Sequence, residues 1–530
     1  MLASFTTHLS QLRLASSARF HRLNSVVGLR QYSSNNTEPH LNFRSFVEAL
    51  RDDGDLADVY QEVDPDLELS AITRRALETC DKAPLFHNVK GARDGLFRVL
   101  GAPASLRKKK TEQFARLARH IGLEPTATMS EIFDKILGAN KLKPIPPVRV
   151  ADGPCKENKL FGDDIDLNKM PVPQMHRFDG GKYLQTYGMH VVQTPDKEWT
   201  NWSISRAMVH DKTRLSGLVM PPQHIGRIFA QWQKKGEDIP WAMAFGVPPA
   251  AILASGIGVP EGVSEADFVG AMCGVPLEVV KCETNDLCVP ASSEIVMEGT
   301  ISVTERGPEG PFGEIHGYTF IEPPKYMPLF TVKAVTYRTN AILPICVPGR
   351  PVDETHTLAG AFCGAVIRQL LQDADLPVKE VFTPYETQTL WAVVQIDGAR
   401  LRTMKTNPKE LCQRIGDTIF PNKTSMFEHH ILVVSDEIDI YNFKDVMWAY
   451  ATRCRPGVDN FYFHNTLGFP LVPYQSQGQG PPDVATKIVS NCLLPVEYTT
   501  GPNWEVGDFE RGFPEEIKQK VLANWSKLGF

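Results

Sequence analysis

The sequence predicts an α/β multidomain protein, and three observations support that fold class. Its 530 residues are too many for a single hydrophobic core, so two or three domains are expected. Short β-rich runs separated by Gly and Pro dominate residues 151–345, whereas helical stretches alternate with apolar strands after about residue 350. The predicted parts are an N-terminal α/β domain (40–150), a central β domain (151–345), a C-terminal α/β domain (346–500) and a C-terminal helix (501–530).

The N-terminal domain mixes both element types. Four apolar residues at helical spacing predict its first helix: Phe43, Phe46, Val47 and Leu50. A strand is predicted over 55–63, and the Asp64-Pro65 step then begins a second helix. Further strands are predicted over 85–89 and 96–100, and a proline-rich linker follows at 144–147.

Short runs of β-forming residues predict the central strands, at 188–193, 199–209, 242–245, 251–253, 276–280, 293–304 and 326–337. Strands this short and numerous are typical of a sandwich or a barrel. In the C-terminal domain the predicted helices are 359–371 and 446–453, and the predicted strands are 390–396 and 430–434. Residues 515–525 have the pattern of an amphipathic helix, which often docks on another domain or subunit.

Residues 1–35 differ in composition from the rest of the chain. They contain four arginines among Ser, Thr, Leu and Ala and no acidic residue, which is typical of a mitochondrial transit peptide; a disordered basic tail is the alternative. Their removal would change the formal charge from −6 to −10. Such a charge disfavours nucleic-acid binding, because phosphate contacts dominate that affinity.

Two further absences narrow the class of protein. No apolar run reaches the roughly eighteen residues that a membrane span requires. The ten cysteines form no CxxC pair, so reduced thiols are expected.

Residues 305–317 are the densest concentration of reactive groups, with the carboxylates Glu309 and Glu314 among glycines and prolines. A solvated turn would have a similar composition. Glu314, however, is flanked by Phe312 and Ile315 and should lie closer to apolar surface than Glu309 does. Environments that differ in this way allow one site to hold an acid and a base near neutral pH. Glycines also allow a substrate to approach the backbone closely.

A second segment, 199–206, carries groups suited to binding. In a strand, alternation would place three small polar side chains on one face: Asn201, Ser203 and Ser205. The other face would carry Trp202, Ile204 and Arg206. Small polar groups suit phosphate or metal contacts, and arginine binds a carboxylate bidentately. An outward-facing polar strand would have the same pattern.

Two more segments contribute His224, within 221–226, and Glu265, within 263–267. With Asn201 they would make a mixed N/O ligand set suited to Mn²⁺ or Mg²⁺. A lone histidine is more often structural, and spacing does not establish that the three residues meet. The sequence has no Walker loop, no GxGxxG after a strand and no GxSxG elbow, which disfavours ATP use, Rossmann-type NAD binding and serine hydrolase chemistry.

Together, these four segments resemble the UbiD-like decarboxylases, and most closely the fungal ferulic (phenylacrylic) acid decarboxylases. The resemblance runs from about residue 42 to the C-terminus. Its motifs are WTNWSISRAM at 199–208, PPQHIG at 221–226, GVSEADFVGAM at 262–272 and GPEGPFGEIHGY at 307–318. It implies that the central domain is a split β-barrel that binds prenylated FMN, and that the C-terminal α/β domain forms a homodimer contact.

The resemblance also implies the binding residues. A Mn²⁺ ion that bridges to the flavin phosphate would be held by Asn201, His224 and Glu265. A monovalent cation, K⁺, would be surrounded by Trp202, Ala254, Ser255, Ile257, Glu265 and Arg453. The prenylated FMN would contact Asn201, Trp202, Ser203, Ile204, Ser205, Arg206, Gln223, His224, Glu265 and Lys423. An apolar wall for the substrate ring would include Phe469, Leu471 and Ala359, with Phe427 as a further member.

The implied reaction is a reversible, non-oxidative decarboxylation of α,β-unsaturated aromatic acids. Cinnamic, ferulic or p-coumaric acid would give a styrene-type vinyl arene and CO₂, through a 1,3-dipolar cycloaddition between the substrate double bond and the flavin. Arg206 would position the substrate carboxylate and pair with Glu309, and Glu314 would deliver the proton.

A UbiD-type hydroxybenzoate decarboxylase, an FMN oxidoreductase and a non-enzymatic flavoprotein are the alternatives. The implied partners are a small-molecule acid and a separate flavin prenyltransferase that supplies the cofactor. The expected location is the mitochondrial matrix, with the cytoplasm as the alternative.

Overall fold

The structure, a computed structural model, describes residues 37–139, 141–221 and 223–530. The predicted transit peptide at 1–35 lies outside these residues. The helices are α1 Phe43–Asp52, α2 Glu68–Glu78, α3 Ala115–His120, α4 Met129–Ala139, α5 His224–Lys235, α6 Pro249–Gly256, α7 Glu265–Cys273, α8 Ala361–Asp373, α9 Gly398–Thr403, α10 Pro408–Ile419, α11 Phe443–Arg453, α12 Pro473–Ser476 and α13 Glu515–Asn524. Within the described ranges, no helix has the length and apolarity needed to cross a bilayer.

The strands lie in four sheets. They are β1 Leu56–Val63, β2 Ala83–Val89, β3 Arg98–Gly101, β4 Val148–Val150, β5 Asn158–Phe161, β6 Tyr183–Gln185, β7 Gly188–Gln193, β8 Thr200–Ser203, β9 Ala207–Val209, β10 Arg214–Gly217, β11 Ile239–Phe245, β12 Glu278–Lys281, β13 Cys288–Pro290, β14 Ile295–Glu309, β15 Lys325–Tyr337, β16 Ile342–Ile345, β17 Val378–Phe382, β18 Trp391–Ile396, β19 His430–Val434, β20 Asn460–Leu467 and β21 Val484–Asn491.

The N-terminal sheet has the order β1-β2-β3-β16. It is preceded by α1, which begins after Asn42 because the Asn42 side chain accepts hydrogen bonds from the amides of Arg44 and Ser45. β3 and β16 pair in parallel, from Arg98 opposite Ile342 onward. The strand at the end of the predicted central domain is therefore part of the N-terminal sheet.

The central sheet follows the path β6-β9-β10-β15-β14-β11-β7-β8, with β5 added against β15. All pairings along this path are antiparallel. The long strands β14 and β15 form its middle, and the buried strands β7 and β11 lie towards one end. The predicted β-rich middle of the chain is thus a curled sheet within a multidomain α/β protein.

The C-terminal sheet has the order β17-β18-β19-β21-β20, with parallel pairings only among β18, β19 and β21. A short three-stranded sheet, β13-β12-β4, completes the set. One continuous apolar cluster includes Phe133 of α4, Leu253 of α6 and Val434 of β19. The three parts of the chain therefore share a hydrophobic core.

Two predicted strands differ from the structure. Residues 251–253 belong to α6, which begins with Pro249, a favoured residue at a first helical position. Periodicity cannot distinguish a buried strand from a buried helix in so short an apolar run. The strand predicted over 199–209 is in fact two strands, β8 and β9, because the chain leaves the extended ladder at 204–206.

The C-terminal helix α13 begins at Glu515, as predicted, but it buries none of its residues. Ile517, Leu522 and the adjoining Trp525 are 43%, 54% and 47% exposed. The apolar face of this helix is thus open to solvent in the described chain.

Candidate active site

The centre of the site is Arg206, whose guanidinium contacts both glutamates of the glycine-proline segment. Its Nε and Nη2 atoms donate to the two carboxylate oxygens of Glu309 at 2.7 and 3.2 Å. Its Nη1 atom donates to Glu314 Oε1 at 2.6 Å. The Glu309 side chain is 1% exposed, whereas Glu314 is 15% exposed. The prediction that Glu314 is the more buried carboxylate was therefore wrong.

Two aromatic residues complete this arrangement. The Tyr183 hydroxyl donates to Glu309 Oε1 at 2.8 Å, and the Phe312 ring lies under Arg206, with Cζ 4.9 Å from the ring centroid. Burial and the nearby Glu309 carboxylate raise the pKa of Tyr183, so it remains a donor. Burial lowers the pKa of Arg206, but the two carboxylates more than offset this effect and its pKa lies above the ordinary value. The guanidinium therefore stays charged.

A break between β8 and β9 sets the position of Arg206. The Ser205 carbonyl in this break accepts a 2.8 Å hydrogen bond from Nε2 of His190, a buried residue of β7. Trp241 Nε1 donates to the other ring nitrogen, and burial lowers the pKa of His190 to about 4, so the imidazole is neutral. The predicted alternation of side chains holds only as far as Ser203, the end of β8.

The segment after β14 is held by the residues that precede β6. The Asp179 side chain accepts from the amide of Gly313 at 2.8 Å, and the amide of Gly180 donates to the Pro311 carbonyl at 2.7 Å. A Cβ atom at Gly180 would lie 2.0 Å from the carbonyl oxygen of Gly310. Gly310 itself has φ +83°, a conformation that favours glycine. Close backbone packing therefore presents Glu309 and Glu314 to Arg206.

Asn201 and Glu265, two of the predicted metal ligands, are in contact. Asn201 Nδ2 and the Trp202 amide each donate to the Glu265 carboxylate at 2.8 Å. Burial raises the pKa of Glu265 to about 8, and the Asn201 Oδ1 atom is buried without a hydrogen-bond partner. No cluster of three or more His, Cys, Asp or Glu residues suited to a metal occurs in the described ranges, so any site here depends on the asparagine. A buried carboxylate beside an unpaired amide oxygen fits a hard cation.

His224 is the first residue of α5, and its ring packs edge-on against Trp199 at 5.0 Å. The pKa of His224 is lowered by burial and by the positive charges of Lys423 and Arg227. Lys423, which sequence alone would treat as a solvated lysine, thus lies close to His224. A neutral imidazole can ligate a metal, and two cationic side chains beside it suit a phosphate group.

The remaining predicted cofactor residues form the surrounding surface. Ser203 Oγ is buried without a hydrogen-bond partner, whereas Ser205 Oγ donates to the Leu218 carbonyl. Ile204 is partly buried against the core, and Gln223 precedes α5 and accepts from the Met220 amide at 3.3 Å. The unpaired Ser203 and Asn201 oxygens leave polar contacts for a bound group to satisfy.

Four of the six predicted K⁺ residues, those other than Trp202 and Glu265, divide into two groups. Ala254, Ser255 and Ile257 lie at the end of α6, where the Ser255 hydroxyl donates to the Ala251 carbonyl. Arg453 ends α11, and its guanidinium contacts Ser435, Glu437, Trp448 and Trp504. None of those contacts, within the described chain, is to another predicted K⁺ residue.

Of the predicted substrate wall, Phe469 and Phe427 pack against each other with ring centroids 4.3 Å apart. The Phe469 ring also meets His316 edge-on at 5.9 Å. Ala359 lies in a π-helical turn, His356–Gly360, just before α8, and Leu471 is partly buried. Single π-helical turns occur frequently at functional sites.

Sequence reasoning missed Tyr183, Asp179 and His190 as supports of the site. Tyr183 and Asp179 lie more than 120 positions from the residues they hold, whereas His190 lies 15 from Ser205, and none of the three stands in a motif that we singled out. Their contacts depend on strand pairing, which composition does not encode. The one property that these three residues share is that all are buried in the structure.

The fold and site define a multidomain α/β protein in which a partly buried guanidinium is bound by two carboxylates. The chain belongs to the UbiD family of carboxy-lyases. Models of 3-octaprenyl-4-hydroxybenzoate carboxy-lyase match its N-terminal domain (residues 47–136), its Rift-related domain (147–351) and its C-terminal domain (356–492). Membership of this family supports the predicted decarboxylase and not the alternative of an FMN oxidoreductase.

Three decarboxylases are similar to this chain over almost its whole length. The chain is 47% identical to ferulic acid decarboxylase 1 of Saccharomyces cerevisiae, over 93% of this chain and 99% of that protein. Ferulic acid decarboxylase 1 of Candida dubliniensis is 45% identical over 92% of this chain and 99% of its own length. Pyrrole-2-carboxylic acid decarboxylase of Pseudomonas aeruginosa is 44% identical, with coverage of 92% and 98%.

Two solved structures of one UbiD-class enzyme support the fold assignment. The UbiD-class enzyme HmfF from Pelotomaculum thermopropionicum, in complex with FMN, is 30% identical with a TM-score of 0.76, covering 91% of this chain and all of that one. An evolved dimeric form of HmfF, in complex with prenylated FMN, has a TM-score of 0.71 at 29% identity, covering 86% of this chain and 95% of that one.

Proposed function

We propose that this protein is a prenylated-FMN-dependent decarboxylase that converts α,β-unsaturated aromatic acids, such as cinnamic, ferulic and p-coumaric acid, to vinyl arenes and CO₂. The observation that carries the proposal is the partly buried Arg206 guanidinium, which is bound by Glu309 and by Glu314. Two ferulic acid decarboxylases among the relatives support the choice of substrate class.

Arg206 has a fixed side and an exchangeable side. Glu309 is bound by two guanidinium nitrogens and by Tyr183, so it stays in place. Glu314 has one contact to the guanidinium and is the more exposed carboxylate, so a substrate carboxylate can take its place at Nη1. A charge-assisted hydrogen bond from Nη1 would then hold the substrate carboxylate in position.

Charge explains how Glu314 would acquire its proton. One guanidinium and two carboxylates leave the pocket with one negative charge, and a substrate anion adds another. Like charges favour protonation of one group, and the exchangeable Glu314 is the one that loses its cationic contact. After the C–C bond to CO₂ breaks, the protonated Glu314 would deliver a proton to the carbon that held the carboxylate. The acid anion and one proton thus become the vinyl arene and CO₂.

When bound, a prenylated flavin would supply the electron sink for decarboxylation. We further propose that the curled sheet is a split β-barrel that holds this flavin. Asn201, His224 and Glu265 would hold Mn²⁺ near the flavin phosphate, and Lys423 would pair with that phosphate. The unpaired Asn201 oxygen and the raised pKa of Glu265 support a cation here. K⁺ would lie near the end of α6, beside Ala254, Ser255 and Ile257.

The deciding experiment co-expresses the chain with a flavin prenyltransferase and offers three acids: cinnamic acid, pyrrole-2-carboxylic acid and 4-hydroxybenzoic acid. We expect styrene and CO₂ from cinnamic acid, with the highest kcat/KM of the three. Turnover of pyrrole-2-carboxylic acid alone would transfer the assignment to the chemistry of the bacterial relative. Turnover of 4-hydroxybenzoic acid alone would favour the hydroxybenzoate alternative.

A homodimer and a mitochondrial matrix location are also proposed. The exposed apolar face of α13 supports a subunit contact, and equilibrium sedimentation of the purified protein tests it. The acid-free, arginine-bearing composition of residues 1–35 supports import. A reporter fused to those residues that stays in the cytosol would contradict the location.

A further inference from the structure

Five aromatic residues make up what we call the distal ring cluster: the trio His316, Phe427 and Phe469, and the pair His429 and Tyr474, whose His429 is close enough to His316 for the two imidazoles to interact electrostatically. The Phe469 ring meets His316 at 5.9 Å and Phe427 at 4.3 Å, and the rings of His429 and Tyr474 are 5.5 Å apart. The cluster thus joins the predicted apolar wall for the substrate ring to two histidines that no step of the proposed mechanism uses.

Three ring nitrogens of this cluster are buried without a hydrogen-bond partner in the described structure. Both nitrogens of His316 and Nε2 of His429 are unpaired, although these side chains are only 4% and 6% exposed. His429 Nδ1 is within 2.8 Å of the Tyr474 hydroxyl. Burial lowers the pKa of each histidine to about 4, so both imidazoles are neutral. Leaving such buried groups unsatisfied is unfavourable, so a bound group that pairs with them would be favoured.

The position of the cluster indicates what would satisfy these nitrogens. His316 follows Glu314 by two residues, and Glu314 contacts the guanidinium that binds the substrate carboxylate. The His316 ring contacts Phe469, so under the proposed function the aromatic ring of an acid held at Arg206 would lie against this cluster. A neutral imidazole offers one N–H donor and one acceptor, which complement a hydroxyl group.

We infer that His316 and His429 form a polar subsite for a hydrogen-bonding substituent on the aromatic ring of the substrate. The enzyme should then prefer hydroxylated 3-arylacrylic acids to acids of the same size with an apolar ring. This inference rests on the proposed function. It makes the two histidines specificity-determining residues, because a buried site built for a hydroxyl discriminates strongly against an analogue that lacks one.

The wild-type holoenzyme provides a first test with isosteric acids. Cinnamic acids that carry a hydroxyl at ring position 3 or 4 are compared with those that carry a methyl group at the same position. We expect kcat/KM to be about tenfold higher or more for the better hydroxy acid than for its methyl isostere. Equal or higher values for the methyl acids would overturn the subsite. If the loaded enzyme turned over no arylacrylic acid at all, the proposed function would fail instead.

Variants assign the preference to a residue. His316→Phe should lower the hydroxy-to-methyl ratio of kcat/KM about tenfold, and His316→Asn should retain part of the preference. His430→Gln is the matched control, because His430 is also buried and neutral but its Nε2 is paired with the Ser490 hydroxyl at 2.7 Å. It should leave the ratio as in the wild type.

A binding measurement separates recognition from turnover. The unreactive 3-(4-hydroxyphenyl)propanoic acid should bind about tenfold more tightly than its 4-methyl analogue, and His316→Phe should remove the difference. An unchanged ratio in the His316→Phe variant, in both kcat/KM and binding, would overturn the role of His316. The wild-type isostere comparison still decides the matter if that variant does not fold.

Discussion

Arg206 shows how the shape of one side chain organises a site. Its planar guanidinium has three separate donor positions directed at two carboxylates, and the Phe312 ring supports its face. A lysine at this position would keep the charge but lose the fork geometry. The two glutamates can therefore take different roles although they share one partner.

The first prediction concerns Glu314→Gln. Glutamine keeps the size and the contact to Arg206 but cannot supply the proton, so decarboxylation should fall by at least about 100-fold. Flavin content, read from the absorption spectrum, and bound metal should stay at wild-type levels. Wild-type turnover by this variant would exclude Glu314 as the proton donor.

At the residue scale, the sequence identified the chemical groups but not their supports. Arg206, Glu309 and Glu314 stand in dense motifs, and the structure brings all three into contact. Tyr183 and Asp179 were not predicted, because each contacts a residue more than 120 positions away. Relative exposure was also predicted wrongly, since Glu309 is buried by tertiary packing that its neighbours in sequence do not reveal.

At the scale of the element, the position of the segment that carries Glu309 and Glu314 depends on glycines that allow close backbone packing. Gly180→Ala would place a Cβ atom against the Gly310 carbonyl oxygen and should displace the segment. A misplacement of about 1 Å can cost about 100-fold in rate, so we expect kcat/KM to fall by that order. Circular dichroism should remain native-like, because the contact lies in a loop.

Gly138→Ala is the matched control for that change. Gly138 lies in α4, and a Cβ atom there would meet nothing within 4 Å. This substitution should leave kcat/KM unaltered and could raise stability by up to about 1 kcal/mol through helix propensity. Equal losses of activity in the two variants would contradict the role of close packing at Gly180.

Helices and strands were predictable where a regular spacing of apolar residues ended at residues that favour a turn or a helix cap. β7 and β19 have the predicted bounds, and α1 follows its apolar spacing. The sequence could not predict the break at 204–206, because a buried histidine from β7 holds the carbonyl there. Nor could it predict that β16 pairs with β3, since that pairing is tertiary.

At the scale of the whole molecule, His120 links the N-terminal domain to the central sheet. Its Nε2 atom is 2.9 Å from the hydroxyl of Tyr187, which lies between β6 and β7, and its ring packs on Phe46. Burial lowers its pKa from 6.5 to about 4. Between these values the unfolded chain binds a proton that the folded protein does not, so the contribution of His120 to stability is present above pH 6.5 and is lost as the pH falls towards 4.

His120→Gln should therefore destabilise the protein more at pH 6.5 than at pH 5. The difference in the change of unfolding free energy should be about 2 kcal/mol, since each pKa unit corresponds to about 1.4 kcal/mol. Urea denaturation at the two pH values measures it. A pH-independent effect of the substitution would contradict the neutral, buried state of His120.

The return of the chain to the N-terminal sheet has a consequence for biosynthesis. The edge of β3 is completed only by β16, more than 240 residues later, so a ribosome must pass Ile345 before the first sheet can close. Until then, a nascent chain exposes unpaired backbone groups along β3, and such an edge invites pairing with other chains. The first domain to be synthesised therefore cannot be completed before the central domain has been made, and its open edge is an aggregation risk during synthesis.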